Sequence, residues 1–431
     1  MSDATPDAET PQAETPQAET LHPESSQTDP GKLYDLVLFG ATGFTGSLVA
    51  DYLAEHAPAT TRWALAGRSE TKLRTVRDKL TAQHPHLKDL PLITVDAADR
   101  AALRDLAGST RVVITTVGPY LTHGEPLVAA CADAGCDYVD LTGEPEFVDA
   151  MYLKHHARAV ETGARLVHAC GFDSIPADLG VLYTIRQLAP ADGPVRIQGF
   201  IRSNGSFSGG TLASATTAMS RPGAMARAAK ARRAAQPRPA GRRFGTLAGP
   251  PRHDRVAHAW IAPLPVIDTQ IVLRSAAALD DYGPDFRYGH YAAVRRLPVA
   301  LAALAALTTL AVSAQIKPLR TAVSRFVKPG EGPDERRRAR SWFTLRFHAQ
   351  AGDRTLVTEV AGGDPGYTET AKMLAESALC LAFDDLPATA GQLTTATAMG
   401  EALIARLQRA GITFRTLTAP PTHSPGPERW R

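Results

Sequence analysis

Cysteine is scarce in this chain: four in 431 residues, at positions 131, 136, 170 and 380. So few thiols in so long a chain exclude a disulfide framework, and no His or Cys stands near Cys131 and Cys136 at metal-ligand spacing. Reduced thiols, a cytoplasmic setting and no metal are expected. Strong charge imbalance is also lacking, the formal net charge being only +3, so charge as a whole names no partner. An apolar leader is missing too. Residues 1–32 hold seven acids against Lys32 and repeat PQAET at Pro11 and Pro16, which reads as a disordered acidic tail and not as a secretory signal. Residues 415–431, ending TAPPTHSPGPERWR, read as a second disordered tail. One long uncharged run exists, Leu297 to Ala314, but it falls short of the roughly 20 strongly apolar residues of a spanning helix. Arg295 and Arg296 before it and Lys317 and Arg320 after it suit a membrane surface; a buried helix or one leg of a dimer interface is the other reading.

Between the tails, 44% hydrophobic and 21% charged residues describe a globular protein long enough for two domains. The stretch YDLVLFGATGFTGSLVADYLAEH, Tyr34 to His56, is the first clear feature. Leu36 to Phe39 is apolar without alternation, as in a buried parallel strand. Leu48, Val49, Tyr52 and Leu53 then recur on one helix face. Gly40, Gly43 and Gly46 fill the turn between, with Thr42, Phe44 and Thr45. Glycines there allow a sharp turn and close backbone approach, and a helix N-terminus offers free N–H groups to a phosphate. The expected guest is the pyrophosphate of a dinucleotide. The next strand, over Trp63 to Ala66, ends at Gly67-Arg68-Ser69 with Lys72 one turn on, where a site for NAD usually carries an acid. A guanidinium suits a 2′-phosphate, so NADP(H) is the expected cofactor.

Strand and helix patterns alternate to about residue 170, which predicts parallel βαβ units in a doubly wound α/β sheet. Ligands collect beyond the carboxyl ends of such strands. Those ends carry the Gly40 turn, Arg68, Asp96, Gly118 to Tyr120, Thr142 to Glu144 and Cys170 to Ser174. Farther on, VRIQGFIRSN, RVAHAWIA and TQIVLRSAA read as strands, Gly209-Gly210-Thr211 as a helix start, and SWFTLRFHAQAGDRTLVTEVAGG as a hairpin turning near Gly352. TETAKMLAESALCLAF reads as an amphipathic helix. The expectation is a dinucleotide-binding domain over 33–172 and a second, mixed-sheet α/β domain over 173–390. From Arg221 to Arg255 ten basic residues face Asp254 alone. With no aromatic stacking set or nucleic-acid motif, this stretch reads as an exposed basic loop facing an acidic carrier protein or membrane lipid, not as a nucleic-acid site.

The blocks GATGFTG, TRVVITTVGPY, HGEPLVAACADAGCDYVDLTGE, ARLVHACGFDSIPADLG and KPGEGPDERRRARSWF resemble the saccharopine dehydrogenase-like oxidoreductase family. More narrowly they resemble its actinobacterial branch, the trans-acting enoyl reductases of mycobacterial lipid synthesis. The resemblance spans about 33 to 415. It implies a Rossmann domain, a second α/β domain, a closing helix (391–414) packed back on the first, and nicotinamide-dependent redox. It also implies a lipid or polyketide thioester substrate carried by a polyketide synthase. An enoyl reductase must stabilise an enolate and protonate a carbon. Tyr120, His123, Asp173 and Ser174 are the candidate groups, with Gly118 and Pro119 lining the cofactor. Asp173 and Ser174 could instead cap a helix, and His168 reads as a core residue. A saccharopine-like amino or hydroxy acid dehydrogenase is the rival enzyme, needing Arg202 and Arg274 in the cleft. A non-catalytic dinucleotide-binding protein associated with lipid is the rival outside catalysis.

Overall fold

The computed structural model describes residues 31–188, 193–205, 216–217, 219–247, 249–316 and 332–417. The expected helix start at Gly209 to Thr211, the cations Lys317 and Arg320, and most of both tails lie outside them.

Chain order alternates first as the apolar pattern dictates. The strands are β1 (Tyr34–Phe39), β2 (Trp63–Gly67), β3 (Leu92–Thr94), β4 (Thr110–Thr115), β5 (Asp137–Asp140) and β6 (Arg165–Val167). Between them run α1 (Phe44–His56), α2 (Glu70–Gln83), α3 (Arg100–Gly108), the single turn α4 (Tyr120–His123), α5 (Glu125–Ala134) and α6 (Pro145–Thr162). After β6, α7 (Ile175–Leu188) leads to β7 (Pro194–Ser203), α8 (Pro222–Ala235), β8 (Arg243–Thr246), β9 (Arg252–Asp254), β10 (Ala259–Pro263) and α9 (Asp268–Ala278). Then come β11 (Asp285–Val294), α10 (Leu297–Gln315), α11 (Glu335–Ala339), β12 (Phe343–Ala351) and β13 (Arg354–Gly362). The chain closes with α12 (Thr368–Phe383), β14 (Gly391–Leu393), α13 (Thr395–Ala398), α14 (Gly400–Arg409) and β15 (Thr413–Leu417).

Two sheets result. The first runs β14-β6-β5-β4-β1-β2-β3 with every pairing parallel. The second runs β15-β13-β12-β7-β11-β10-β9, with β8 also on β11, and mixes parallel and antiparallel pairs. Strand order in the first sheet reverses between β1 and β4, which opens the crevice of a doubly wound sheet there. Strand residues alternate between two cores. Val37, Phe39 and Val113 face Leu103, Leu127 and Met151 on one side. Leu36, Leu38 and Ile114 face the other side, where Leu53, Leu374, Leu379 and α7 carry one continuous apolar core through to Ile197, Leu345 and Phe347 of the second sheet. The two sheets therefore hold the crevice walls through shared packing.

Four expectations are corrected. Residues 391–414 are not one helix but β14, α13, α14 and the start of β15. TQIVLRSAA lies in helix α9 and is not a strand. Its β-branched residues suggest a strand, yet Ile271, Val272, Ser275 and Ala276 are buried at helical spacing. The basic stretch 221–255 is not one exposed loop but contains α8, β8 and β9. Arg221 pairs with Glu146 at 2.7 Å and the buried Arg232 with Asp149 at 2.5 Å, so part of that charge is spent inside the molecule. Residues 415–417 belong to β15, paired with β13, and not to a tail. The apolar run forms α10, in which Leu297, Val299, Leu301 and Val312 stand exposed and Ala314 is buried, so those four side chains are not part of the core.

Candidate active site

The glycine turn divides into two kinds of glycine. Gly40 has φ +95°, and a Cβ there would sit 2.7 Å from Thr116 Oγ1; at Gly46 it would sit 2.1 Å from Gly40 O. The fold itself demands both. Gly43 has φ −79°, and a Cβ there would meet only Gly40 O, at 3.4 Å. Nothing among the described residues needs that position bare, which leaves room there for a ligand. Gly43 caps α1 without a side-chain hydrogen bond and no acid stands in the first turn, leaving N–H groups and the positive helix end for an anion. Thr42 is exposed and Thr45 half-buried beside it. Phe44 is held edge-on to Tyr367, ring centroids 4.9 Å apart.

At the end of β2, Arg68 is exposed and no described carboxylate pairs with it. Ser69 Oγ accepts from Lys72 N at 3.4 Å as the cap of α2, and Lys72 is exposed. Asp96 is exposed and its carboxylate accepts from Ala98 N at 2.9 Å, shaping the loop after β3. This edge presents a cation where the adenosine ribose of a dinucleotide would lie. Replacing Arg68 by Ala should weaken NADPH binding by about 1.5 kcal/mol, roughly tenfold, the low end for a charged hydrogen bond at an exposed site, and leave NADH unchanged. Titration calorimetry with both cofactors checks this; equal losses would remove the residue from cofactor selection.

Beyond β4, Gly118 and Pro119, joined by a cis peptide bond, are exposed on the crevice rim. Tyr120 departs from its expected role. Its side chain turns into the core, the hydroxyl donating to Thr115 O at 3.2 Å and accepting from Leu141 N at 3.1 Å. Burial first, then Asp140, hold its pKa well above the usual 10. It braces the strand ends and carries no free proton. His123 is exposed at the end of α4. Buried Glu144 accepts from Tyr120 N and Leu121 N at 3.1 and 2.8 Å, fixing that turn.

Asp140 organises the ends of β5 and β6. Its carboxylate accepts from Thr142 N, Ala169 N, Tyr138 OH and His168 Nδ1 within 2.7 to 3.0 Å. His168 is buried at 1% exposure. Ala169 adopts φ +60°, a strained setting for a residue with a Cβ, and Ser174 Oγ donates to its carbonyl at 2.7 Å. Ser174 is thus fully buried and committed to the backbone, which corrects its reading as a reactive hydroxyl.

Asp173 is different. It lies half-buried over Gly143, whose Cβ would meet Asp173 Oδ2 at 3.2 Å. Its carboxyl has no hydrogen-bond partner among the described residues, and desolvation raises its pKa from 3.8 to about 6. The helix after it starts on Gly171 and Ser174 carbonyls, so Asp173 is not a cap. The second sheet brings a group that the sequence did not disclose. Asp268, at the start of α9, is buried, and desolvation followed by the charge of Asp173 pushes its carboxyl well above 3.8. His290 Nδ1 lies 4.0 Å from Asp268 Oδ1 and 2.8 Å from Tyr288 OH, and burial lowers His290 to about 4, leaving it neutral. Desolvation thus favours the protonated form of both carboxyl groups, and the charge of Asp173 adds to that effect at Asp268 beside the neutral imidazole. A signal existed in YGHY: Tyr288 and His290 stand two apart on one strand face, and Gly199 opposite leaves room for the Tyr288 hydroxyl.

Residues 36–167 match the family described as the saccharopine dehydrogenase NADP binding domain. Trans-acting enoyl reductases of Mycobacterium leprae and Mycobacterium tuberculosis are each 38% identical, over 414 and 417 residues, covering 89% of this chain and 97% of their own. A further Mycobacterium tuberculosis relative reaches 40% over 413 residues, with the same coverage. The chain belongs to the trans-acting enoyl reductase family. It is an NADP-dependent oxidoreductase, with the cofactor domain that the glycine turn announced. Among solved structures, apo saccharopine dehydrogenase (L-Glu forming) from Saccharomyces cerevisiae shares the fold, with a TM-score of 0.53 over 89% of this chain and all of that one at 12% identity. The trans-acting enoyl reductase relatives and that structure agree with the expected family and with a Rossmann sheet joined to a second, mixed one.

Proposed function

We propose that the protein reduces the carbon–carbon double bond of an enoyl thioester belonging to a polyketide or lipid precursor. The relatives' name supports the reaction, and one observation of this structure carries it: Asp173, a carboxyl with no hydrogen-bond partner among the described residues and a pKa raised to about 6 by desolvation, lies over Gly143 beside the strand ends of an NADP-binding sheet. Bound NADPH supplies hydride to the β-carbon of the enoyl group. Gly43 and the first turn of α1 hold the pyrophosphate, Arg68 the 2′-phosphate, and Gly118-Pro119 border the nicotinamide. Asp173, whose protonated form is favoured by desolvation, gives its proton to the α-carbon. The rival amino acid dehydrogenase needs cations open to the cleft, and Arg274 is closed off from solvent, although its Nε and Nη1 have no hydrogen-bond partner among the described residues. It is buried, its NH2 donates to Gln392 O at 3.2 Å, and it lies 5.4 Å over the Tyr152 ring. NADPH oxidation tested in parallel with enoyl thioesters, keto acids and saccharopine decides: turnover of an enoyl thioester alone is expected, and turnover of saccharopine alone would overturn the reading.

Lipid-related substrates make attachment to a surface useful, and α10 supplies the face. No helix among the described residues is long and apolar enough to cross a membrane. Leu301, Ala305, Thr308, Thr309, Val312 and Ser313 line an open, mostly apolar trough of about 580 Å³ along α10, with Arg295 and Arg296 at its start. Apolar side chains in the acyl boundary and cations at anionic headgroups describe peripheral binding. Replacing Val299, Leu301 and Val312 with Ser should abolish sedimentation with anionic liposomes while the protein stays folded. If the triple variant instead dissociates an oligomer and sediments unchanged, α10 is a subunit contact.

A further inference from the structure

The ERRRAR block comes to rest at the crevice mouth. Gly332, just before it, packs so closely on Phe44 of the glycine turn that a Cβ would overlap the ring, and Arg338 lies 5.5 Å over the same ring. This anchors α11 beside the first turn of α1. Asn204, at the end of β7, fixes the other side, its Nδ2 donating to Arg340 O at 3.1 Å and its Oδ1 accepting from Trp342 N at 2.7 Å. Between them opens a cavity of about 410 Å³ lined by Asn204, Asp334, Arg336, Arg337, Arg340 and Ser341. Arg336, Arg337 and Arg340 are exposed, and among the described residues none of their guanidinium groups has a carboxylate partner. Asp334 is the single acid of the lining, and its carboxylate is occupied by Arg337 N at 2.7 Å. Three unpaired guanidinium groups around one concavity make a site for a phosphate, which they can grip by charge-assisted, bidentate hydrogen bonds.

We propose that this cavity receives the phosphate of a phosphopantetheine arm, the handle by which a thioester is presented at the crevice. The proposal rests on the enoyl thioester reading and adds how that substrate is held. Two sources share the chemistry, a carrier protein's phosphodiester and coenzyme A, and the carrier is the one assigned. The cavity is open to the surface, so a phosphodiester can enter while its protein stays outside, and the arm then runs past Phe44 into the crevice.

Calorimetry on the full chain saturated with NADP+ tests binding without turnover. 4′-Phosphopantetheine should bind at least about tenfold more tightly than pantetheine, and Arg337→Gln/Arg340→Gln should erase that difference, as loss of charged hydrogen bonds to phosphate requires. NADPH affinity is measured alongside. No preference for the phosphorylated compound overturns the proposal, as does a variant that loses NADPH affinity instead, because the arginines would then serve the cofactor. In turnover, the double variant should lose kcat/KM for carrier-borne and phosphopantetheine enoyl thioesters alike, but not for the phosphate-free N-acetylcysteamine thioester. A loss confined to coenzyme A thioesters overturns the assignment by placing the adenosine phosphate there. If phosphopantetheine binds as expected yet no enoyl thioester is reduced, the reductase reading alone fails.

Discussion

Gly43→Val gives a folded protein that no longer binds NADPH. The backbone at Gly43 is ordinary, with φ −79° and ψ 164°, and a Cβ meets one atom at 3.4 Å, so the Cβ of the branched side chain is accommodated without strain. It projects into the space over the N-terminus of α1, where a pyrophosphate would accept charge-assisted N–H bonds at about 1.5–3 kcal/mol each. Losing two costs about 3–6 kcal/mol, more than 100-fold in affinity. Gly46→Val behaves oppositely, because its Cβ would stand 2.1 Å from Gly40 O: the turn and the helix cannot both survive. Gly40→Val fails to fold well for a second reason, its φ of +95°. Thermal unfolding with NADPH titration separates the three. A folded Gly43→Val protein with unchanged affinity would make the turn purely structural.

The contrast shows what the chain could and could not disclose. The spacing of Gly40, Gly43 and Gly46 announced the turn because local sequence determines a strand–turn–helix. It could not say which glycine serves the fold, since that depends on Thr116 and Val117, seventy residues away, closing over Gly40. The position of Arg68 was legible because the end of β2 is a fixed place in a doubly wound sheet; its service to a 2′-phosphate is what the Arg68→Ala titration decides. Tyr120 was misread because position beyond a strand does not give side-chain direction; the Thr115 carbonyl and Leu141 N–H drew its hydroxyl inward. The partnership of Asp173 with Asp268 joins elements of different sheets, and a segment read as strand, TQIVLRSAA, hid the helix that brings Asp268 there. Basic residues misled similarly. Arg232 is neutralised by Asp149 inside the molecule, whereas the accessible arginines lie a hundred residues later.

Asp173→Asn should lower kcat by about 10²–10⁴, the range for losing a positioned general acid, while NADPH affinity stays unchanged. The pH profile carries the signature. Desolvation places the Asp173 carboxyl at about 6, so wild-type kcat should fall as pH rises through that value, and the variant should lose this limb. Stability moves in a known direction too. The folded-state pKa is raised above the ordinary 3.8, so the contribution of this group is full below pH about 4 and is lost as pH rises through about 6. Asparagine has no such proton, and the variant should gain stability relative to wild type above pH 6. A kcat profile still bending near pH 6 in Asp173→Asn would assign the proton elsewhere, and a variant with full kcat would exclude Asp173 as the acid.

The closing residues visit both sheets. β14 completes one edge of the first sheet on β6, and β15 completes one edge of the second on β13; between them Thr395 and the Ala396 N–H meet the buried carboxylate of Asp178 at 2.7 and 2.8 Å. The consequence concerns the birth of the molecule. A ribosome releases the dinucleotide-binding sequence early, but β6 and β13 stay unpaired on one side, templates for wrong pairing, until β14 and β15 emerge. Truncation at residue 390 would leave both edges bare and Asp178 without these donors. Completion of the two sheets is thus a late event in synthesis, and it is the same short segment that completes both.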